Sequence, residues 1–201
     1  MSTFVEALKH RRSYYALSNQ SIIDDEEIIG IMKTALRFIP SANNAQTTRI
    51  VLLLGEHHQK LWDIVRQTLK VRTSPEQFEK TNAKINKSFA SGYGTVLFFE
   101  DQKAMRELQQ QFPSYADNYP TWGQHTNAMH QLTVWTMLED RHFGASLQHY
   151  NPIIDDEVRA TWNLPQDWQL IAQMPFGIPV EPPRDKSKEE KPMEDRFMLF
   201  K

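Results

Sequence analysis

The stretch Pro40-Ser41-Ala42-Asn43-Asn44-Ala45-Gln46-Thr47-Thr48-Arg49-Ile50-Val51-Leu52-Leu53-Leu54-Gly55 contains the end of one element and the whole of the next. Pro40 stops whatever helix precedes it, because proline disfavours helical geometry in the residue before it. The polar loop Ser41–Gln46 follows. Arg49–Leu54 is then continuously apolar after its first residue, as a strand buried on both faces is, and Gly55 ends it. Upstream, Asp24 to Ile39 reads as a helix. Asp24, Asp25, Glu26 and Glu27 load its first turn with negative charge that suits the positive end of the dipole, and Ile28, Met32, Ala35 and Ile39 share one face. Downstream, Glu56 to Val71 reads as another helix with Leu61, Ile64, Val65 and Leu69 inward.

The same grammar continues outward. Residues 2–10 form a short helix, and residues 75–90 a polar, weakly amphipathic surface helix. Gly92-Tyr93-Gly94 turns into a second strand, Thr95–Phe99, and Ala104–Phe112 is helical up to Pro113. A loop from Pro113 to Trp122 carries Tyr115, Tyr119 and Trp122. Gln124–Phe143 is the longest helix, its inward face read as Ala128, Leu132, Trp135 and Leu138, with Gly144 closing it. Residues 155–162 form a short helix, and Gln169–Met174 a third strand. Residues 179–195 are mostly Pro, Lys, Glu and Asp, a composition that does not pack, yet the chain ends Arg196-Phe197-Met198-Leu199-Phe200. That end reads as an arm whose apolar tip docks on the body or on a second subunit. Strands separated by long helices indicate a mixed layer fold with more helix than strand.

The 201 residues fit one domain. With no cysteine, thiol nucleophiles, Cys-ligated metals and disulfides are excluded, and a cytoplasmic location is the expectation. Charged Glu6, Lys9, Arg11 and Arg12 break any apolar leader, and no apolar run approaches the roughly 20 residues of a membrane span. A net charge of −2 is no nucleic-acid footprint. The expected substrate is small, with no nucleic acid and no membrane as partner.

The usual catalytic devices are missing. Gly92-Tyr93-Gly94 precedes a strand, whereas a dinucleotide fingerprint follows one. There is no phosphate-binding glycine loop and no Gly-x-Ser-x-Gly elbow. Adjacent His57-His58 cannot share a helix face and read as a solvated helix start; His125 and His130, five apart, do not suit two metal ligands. Asp155-Asp156-Glu157 is the acidic first turn of a helix. What remains are polar clusters at element ends. Two guanidinium groups and a hydroxyl in Arg11-Arg12-Ser13 can hold a phosphate. Asn44 and Gln46 offer amides to a planar heterocycle. Each alone also reads as a basic helix end or a polar loop. Together they suit a protein whose cofactor carries the reaction.

Arg11-Arg12-Ser13 after a short helix resembles the opening of the FMN-dependent nitroreductases. Pro40–Gln46 resembles that family's Pro-Ser-x-x-Asn-x-Gln loop. Gly144-Ala145-Ser146-Leu147-Gln148-His149-Tyr150-Asn151 is similar to the segment passing over the flavin in the subgroup of fatty-acid-repression-mutant proteins and copper-induced nitroreductase. The resemblance covers nearly the whole chain. It implies an α+β class: a three-layer fold with a mixed sheet flanked by helices, residues 1–201 as one domain and 179–201 as a C-terminal arm. It also implies a homodimer with FMN at the subunit interface. Arg11 and Ser13, with Arg12 between them, match the family's contacts to FMN phosphate, ribityl or ring oxygens. Asn44 and Gln46 match contacts at the ring edge. The backbone of Leu147, Gln148, His149 and Tyr150 matches the segment that hydrogen-bonds flavin N5, and Arg196 matches a second phosphate-binding arginine. Tyr15 and Glu194 depart from the family, standing where many members have Lys or Arg and Lys respectively, so the implied phosphate pocket is less basic.

The implied activity is hydride transfer from NADH or NADPH to flavin N5, then reduction of a nitroaromatic or quinone acceptor, with no catalytic side chain required. Phe112, Tyr115, Tyr119 and Trp122 either pack their loop onto the core or, in the case of Tyr119 and Trp122, line the acceptor site by ring stacking. A flavin-binding regulatory or redox-sensing protein with little turnover, and a cofactor-free interaction module, are the competing classes.

Overall fold

A computed structural model describes residues 3–183 and 191–201. Residues 1, 2 and 184–190, including the first residue of the expected opening helix and the middle of the expected arm, lie outside the described residues. The described elements are α1 (Phe4–His10), β1 (Leu17–Ser18), α2 (Asp25–Phe38), β2 (Thr48–Leu54), α3 (Gly55–Lys70), α4 (Pro75–Ser88), β3 (Gly94–Asp101), α5 (Gln102–Gln111), α6 (Tyr119–Asp140), β4 (Gly144–Ala145), α7 (Asp155–Trp162) and β5 (Trp168–Pro179). The sheet runs β1-β5-β3-β2, with β4 also paired to β5.

Strand alternation divides the core in two. Val96 and Phe98 of β3 join Ala172, Met174 and Phe176 of β5 under Ile28, Ile31, Met32 and Ala35 of α2 and Val134 and Leu138 of α6. Leu97 and Phe99 face the other way, with Leu61, Trp62, Ile64 and Val65 of α3, Ile85 of α4 and Val158 of α7. The result is the α+β three-layer arrangement, helices on both faces of a central sheet.

The apolar run of β2 serves both cores: Ile50, Leu52 and Leu54 pack on the first, Val51 and Leu53 on the second. Being an edge strand, β2 is half-exposed along much of its length. The strand ladders are antiparallel, and among the described residues the sheet is mixed only at the isolated parallel bridge Ser13–Ala145. Continuous apolar strands appear here in antiparallel pairing because helices cover both faces.

Three expectations are corrected. α6 begins at Tyr119, with Pro120 in its first turn, so Tyr119 and Trp122 sit on a helix and not in a loop. Its buried face is Gly123, Asn127, His130, Gln131, Val134 and Leu138, while Leu132 and Met129 are exposed. The apolar spacing is right for Leu138 and for Trp135, which packs against the first core, and wrong for exposed Ala128 and Leu132. The reason is that Glu100, buried in β3, recruits polar residues along the first half of the helix: Glu100 Oε1 accepts from Asn127 Nδ2 (2.9 Å) and Thr48 Oγ1 (2.8 Å), and Asn127 Oδ1 accepts from Gln131 Nε2 (2.7 Å). Secondly, Gly144 does not close α6. His142 takes the left-handed conformation (φ 60°), and Gly144 lies in β4, where a Cβ would stand 2.7 Å from Tyr14 Cβ. Thirdly, the arm tip does not dock on its own body: Phe197, Met198, Leu199 and Phe200 are exposed.

Candidate functional site

The chain leaves α1 at Arg11 and turns along β4. Ser13 bridges Ala145, and Tyr14 N–H donates to Ala145 O at 3.0 Å. This lays Arg11-Arg12-Ser13 beside the segment that continues from β4 as Ser146–Asn151. Two of the three sequence clusters are thereby neighbours, although more than 130 residues separate them along the chain.

The arginine is held from below by α6. The Arg11 guanidinium carbon lies 4.4 Å from the centre of the Trp135 ring, a cation–π stacking that fixes a long side chain. Among the described residues, Arg11 Nε, Trp135 Nε1 and Glu139 Oε2 are buried with no hydrogen-bond partner. Such orphans are uncommon in folded proteins and mark places where polar groups await a partner. Burial pushes the Glu139 carboxyl up to about 7, with the Arg11 charge opposing. A group of two donors and one acceptor suits a ligand rich in hydroxyls and phosphate oxygens.

The Ser146–Tyr150 segment runs antiparallel to β5. Ser146 N–H donates to Pro175 O (3.3 Å), Gln148 N–H to Gln173 O (2.7 Å), and Tyr150 N–H to the side chain of Gln173 (2.7 Å). By strand alternation the intervening Leu147 and His149 N–H groups point away from β5. His149 is exposed, and Leu147 packs at the edge of the first core. Gln148 is spent on structure, its Nε2 donating to Ser146 Oγ at 3.0 Å. The Tyr150 ring turns into the second core, edge-on to Trp62 (5.9 Å) and Phe89 (6.4 Å), and burial pushes its hydroxyl up to about 12.

The third cluster lies elsewhere. Asn43, Asn44 and Gln46 all have positive φ (51°, 54° and 48°). Asn tolerates that region and Gln does so rarely. Ser41 holds the loop together, its carbonyl accepting from Asn44 N–H and its Oγ from Gln46 N–H, both at 3.0 Å. Asn43 Nδ2 donates to Tyr119 Oη at 2.6 Å. Asn44 and Gln46 are left exposed. Tyr119 is itself buried, packed edge-on to Trp122 at 5.3 Å. Tyr119 and Trp135 are sixteen residues apart on α6, about 24 Å at the helical rise. Asn43 thus anchors its loop at the start of α6, whereas Arg11 stacks on a residue sixteen positions further along it. Arg196 is exposed, just past a short 3₁₀ turn that contains Glu194. Tyr15 packs against the second core.

Sequence reading missed Gln173, Glu139 and Asn43. A lone Gln inside the apolar run Leu170-Ile171-Ala172-Gln173-Met174 was the available signal. It also placed His58 in solvent, whereas the structure buries it completely.

Residues 8–178 match the model of the Nitroreductase family. The chain is 33% identical to HBN1 of Saccharomyces cerevisiae over 189 residues, 93% of each chain. It is 30% identical to the nitroreductase FRM2 of the same yeast over 190 residues, 92% of each. Among solved structures, nitroreductase CinD of Lactococcus lactis in complex with nicotinic acid superposes with a TM-score of 0.90 at 42% identity, over 99% of this chain and 100% of that one. CinD structures with chloramphenicol and with 4-nitrophenol match with TM-scores of 0.89 and 0.88, each at 40% identity and the same coverage. A matched family model across most of its length and relatives of this closeness make this chain a member of the nitroreductase family of oxidoreductases.

Proposed function

We propose that this chain binds FMN and uses NADH or NADPH to reduce nitroaromatic acceptors, with quinones as a second acceptor class, working as a cytoplasmic homodimer. The whole chain acts as one domain, with 179–201 as its arm. The observation that carries this reading is the Ser13–Ala145 bridge, which sets the phosphate-capable Arg11–Ser13 segment beside the two outward amides of Leu147 and His149.

The residues present fit the cofactor. Buried, partnerless Arg11 Nε and Trp135 Nε1 are donors suited to phosphate and ribityl oxygens, and Glu139 Oε2 can accept from a ribityl hydroxyl. Arg12, Ser13 and Arg196 would add phosphate contacts. The Leu147 or His149 N–H would meet the ring nitrogen, and Asn44 and Gln46 the ring edge. Bound FMN supplies the hydride relay from nicotinamide to acceptor. The protein's own work is to orient the ring with fixed amide dipoles and to leave one face open.

A second copy is part of this reading because Asn43 anchors its loop at Tyr119 while Arg11 stacks on Trp135, sixteen residues further along α6. A second copy can bring its Ser41–Gln46 loop to the first copy's Arg11 cluster. Exposed Met129 and Leu132 on α6, Phe4, Val5 and Leu8 on α1, and the apolar arm tip offer the surface for such a contact. Nitroaromatic acceptors are inferred from the CinD complexes with chloramphenicol and 4-nitrophenol. Trp122, half-buried beside exposed Tyr115 (5.8 Å between rings), is the better candidate for stacking an acceptor; buried Tyr119 would act through the loop.

The test is colour. Purified protein should carry the visible flavin band, lose it anaerobically on adding NADH or NADPH, and regain it with a nitro compound. Yellow protein that does not bleach supports the redox-sensing alternative, and colourless protein that ignores added FMN refutes the flavin reading.

A further inference from the structure

We propose that Gln173, in the middle of β5, is the positioning residue that decides which amides of the Ser146–Tyr150 segment face the flavin; the proposal rests on the flavin reading above. Gln173 is fully buried. Four of its hydrogen bonds go to one stretch of chain. Its main-chain N–H donates to Gln148 O (2.9 Å) and its carbonyl accepts from Gln148 N–H (2.7 Å). Its side-chain Oε1 accepts from Tyr150 N–H (2.7 Å), and its Nε2 donates to Asn151 Oδ1 (3.1 Å).

In a regular antiparallel ladder, with Gln148 opposite Gln173, the next inward amide, Tyr150 N–H, would go to the carbonyl of Ile171. Here the chain is leaving β5, and the Gln173 side chain reaches out to receive that amide instead. The last inward amide is thus captured where the ladder has ended.

Stability alone does not call for this residue. Gln173 stands opposite Leu97 in the β3–β5 register, and Leu97 belongs to the second core with Trp62 and Phe89. An apolar side chain of similar volume would fill the space without burying an amide, and burying an amide costs free energy unless both its atoms are satisfied. What a hydrocarbon cannot do is hold Tyr150 N–H. Because strand alternation has a period of two, a slip of one residue turns every amide to the opposite side. With Gln148 and Tyr150 N–H both pinned inward by Gln173, Leu147 and His149 N–H are left outward.

The experiment uses the full chain, Gln173→Met to remove both amide functions at similar volume, and Asn151→Ala to remove only the partner of Nε2 at the edge of the core. Amide hydrogen exchange is measured on apo protein, FMN affinity by quenching of its fluorescence, and the environment of the ring by the fine structure of its absorption band. In Q173M, Tyr150 N–H loses protection, the FMN dissociation constant rises about tenfold, the scale of one lost hydrogen bond, and the bound band changes shape. N151A gives smaller changes of the same kind and decides the matter if Q173M does not fold. Wild-type FMN binding with both the affinity and the band shape of every folded variant unchanged overturns the positioning role alone. Wild type that does not bind FMN overturns the flavin reading and this inference with it.

Discussion

Lowering the pH should destabilise this protein through His58, and the size of the effect follows from its surroundings. His58 lies on α3 with no exposed surface. Trp62 Nε1–H donates to Thr95 Oγ1 (3.1 Å), Thr95 Oγ1 donates to His58 Nδ1 (2.8 Å), and His58 Nε2–H donates to Ala90 O (3.2 Å). Both ring nitrogens are thereby satisfied in the neutral form. Burial pushes the imidazole down from 6.5 to about 4, with the carbonyls of Ala90 and Phe89 opposing. The unfolded chain protonates His58 near its ordinary value and the folded chain does so only near 4. Between those values the unfolded state binds more protons, so stability falls as pH falls. Crossing the full window costs about 3 kcal/mol, because a tenfold change in proton affinity corresponds to about 1.4 kcal/mol. His58→Gln keeps an amide donor for Ala90 O and cannot titrate. Urea unfolding of apo protein at pH 7.5 and 4.5 measures the effect, and wild type should lose roughly 2–3 kcal/mol more than the variant between them. Glu139 titrates with the opposite sign: its folded-state value is raised, so its contribution to stability is present at low pH and lost as pH rises towards 7. It lies on the other side of the sheet, on α6, and cancels in the comparison. Identical losses in wild type and variant would refute the buried, neutral imidazole.

Tyr119→Phe keeps the buried ring but removes the acceptor for Asn43 Nδ2; since Asn43 is solvent-exposed, the cost should be about 1 kcal/mol, a fall in Tm of roughly 2–4 °C by calorimetry. Gly144→Ala puts a methyl 2.7 Å from Tyr14 Cβ and 2.8 Å from Pro179 Cγ. It should cost about 1–3 kcal/mol in a chemical melt and weaken FMN binding by pushing the Arg11–Ser13 segment from β4. Leu132→Arg, at a position 44% exposed in the single chain, should leave monomer stability within about 0.5 kcal/mol while sedimentation shifts from dimer to monomer.

Local patterns were legible because their causes are local. α2 begins where Asp24 accepts from Glu27 N–H at 2.8 Å and packs Ile28, Met32 and Ala35 as their spacing requires. α7 occupies Asp155–Trp162 as read. α5 starts two residues early because Asp101 caps it through Lys103 and Ala104 N–H. In α6, apolar spacing placed Leu138 and Trp135 correctly but failed at Ala128 and Leu132, because what the first half of the helix buries is set by Glu100 from another strand. His58 was misread for the same reason: nothing near it in the chain announces Thr95 and Ala90.

From residues 40–55 and their flanks the chain itself determined helices, strands and a mixed layer fold, since caps, periodicity and turn residues act over a few positions, while the α+β class and the Leu147–Tyr150 segment came from the family resemblance of its motifs. Tertiary structure alone decided that Ser13 lies against Ala145, that Gln173 receives Tyr150 N–H, and that Asn43 meets Tyr119 while Arg11 stacks on Trp135. Those are pairings between distant segments, fixed by which strands share a ladder and which buried polar groups can be satisfied together, and the free energy that selects them exists only once the layers are packed.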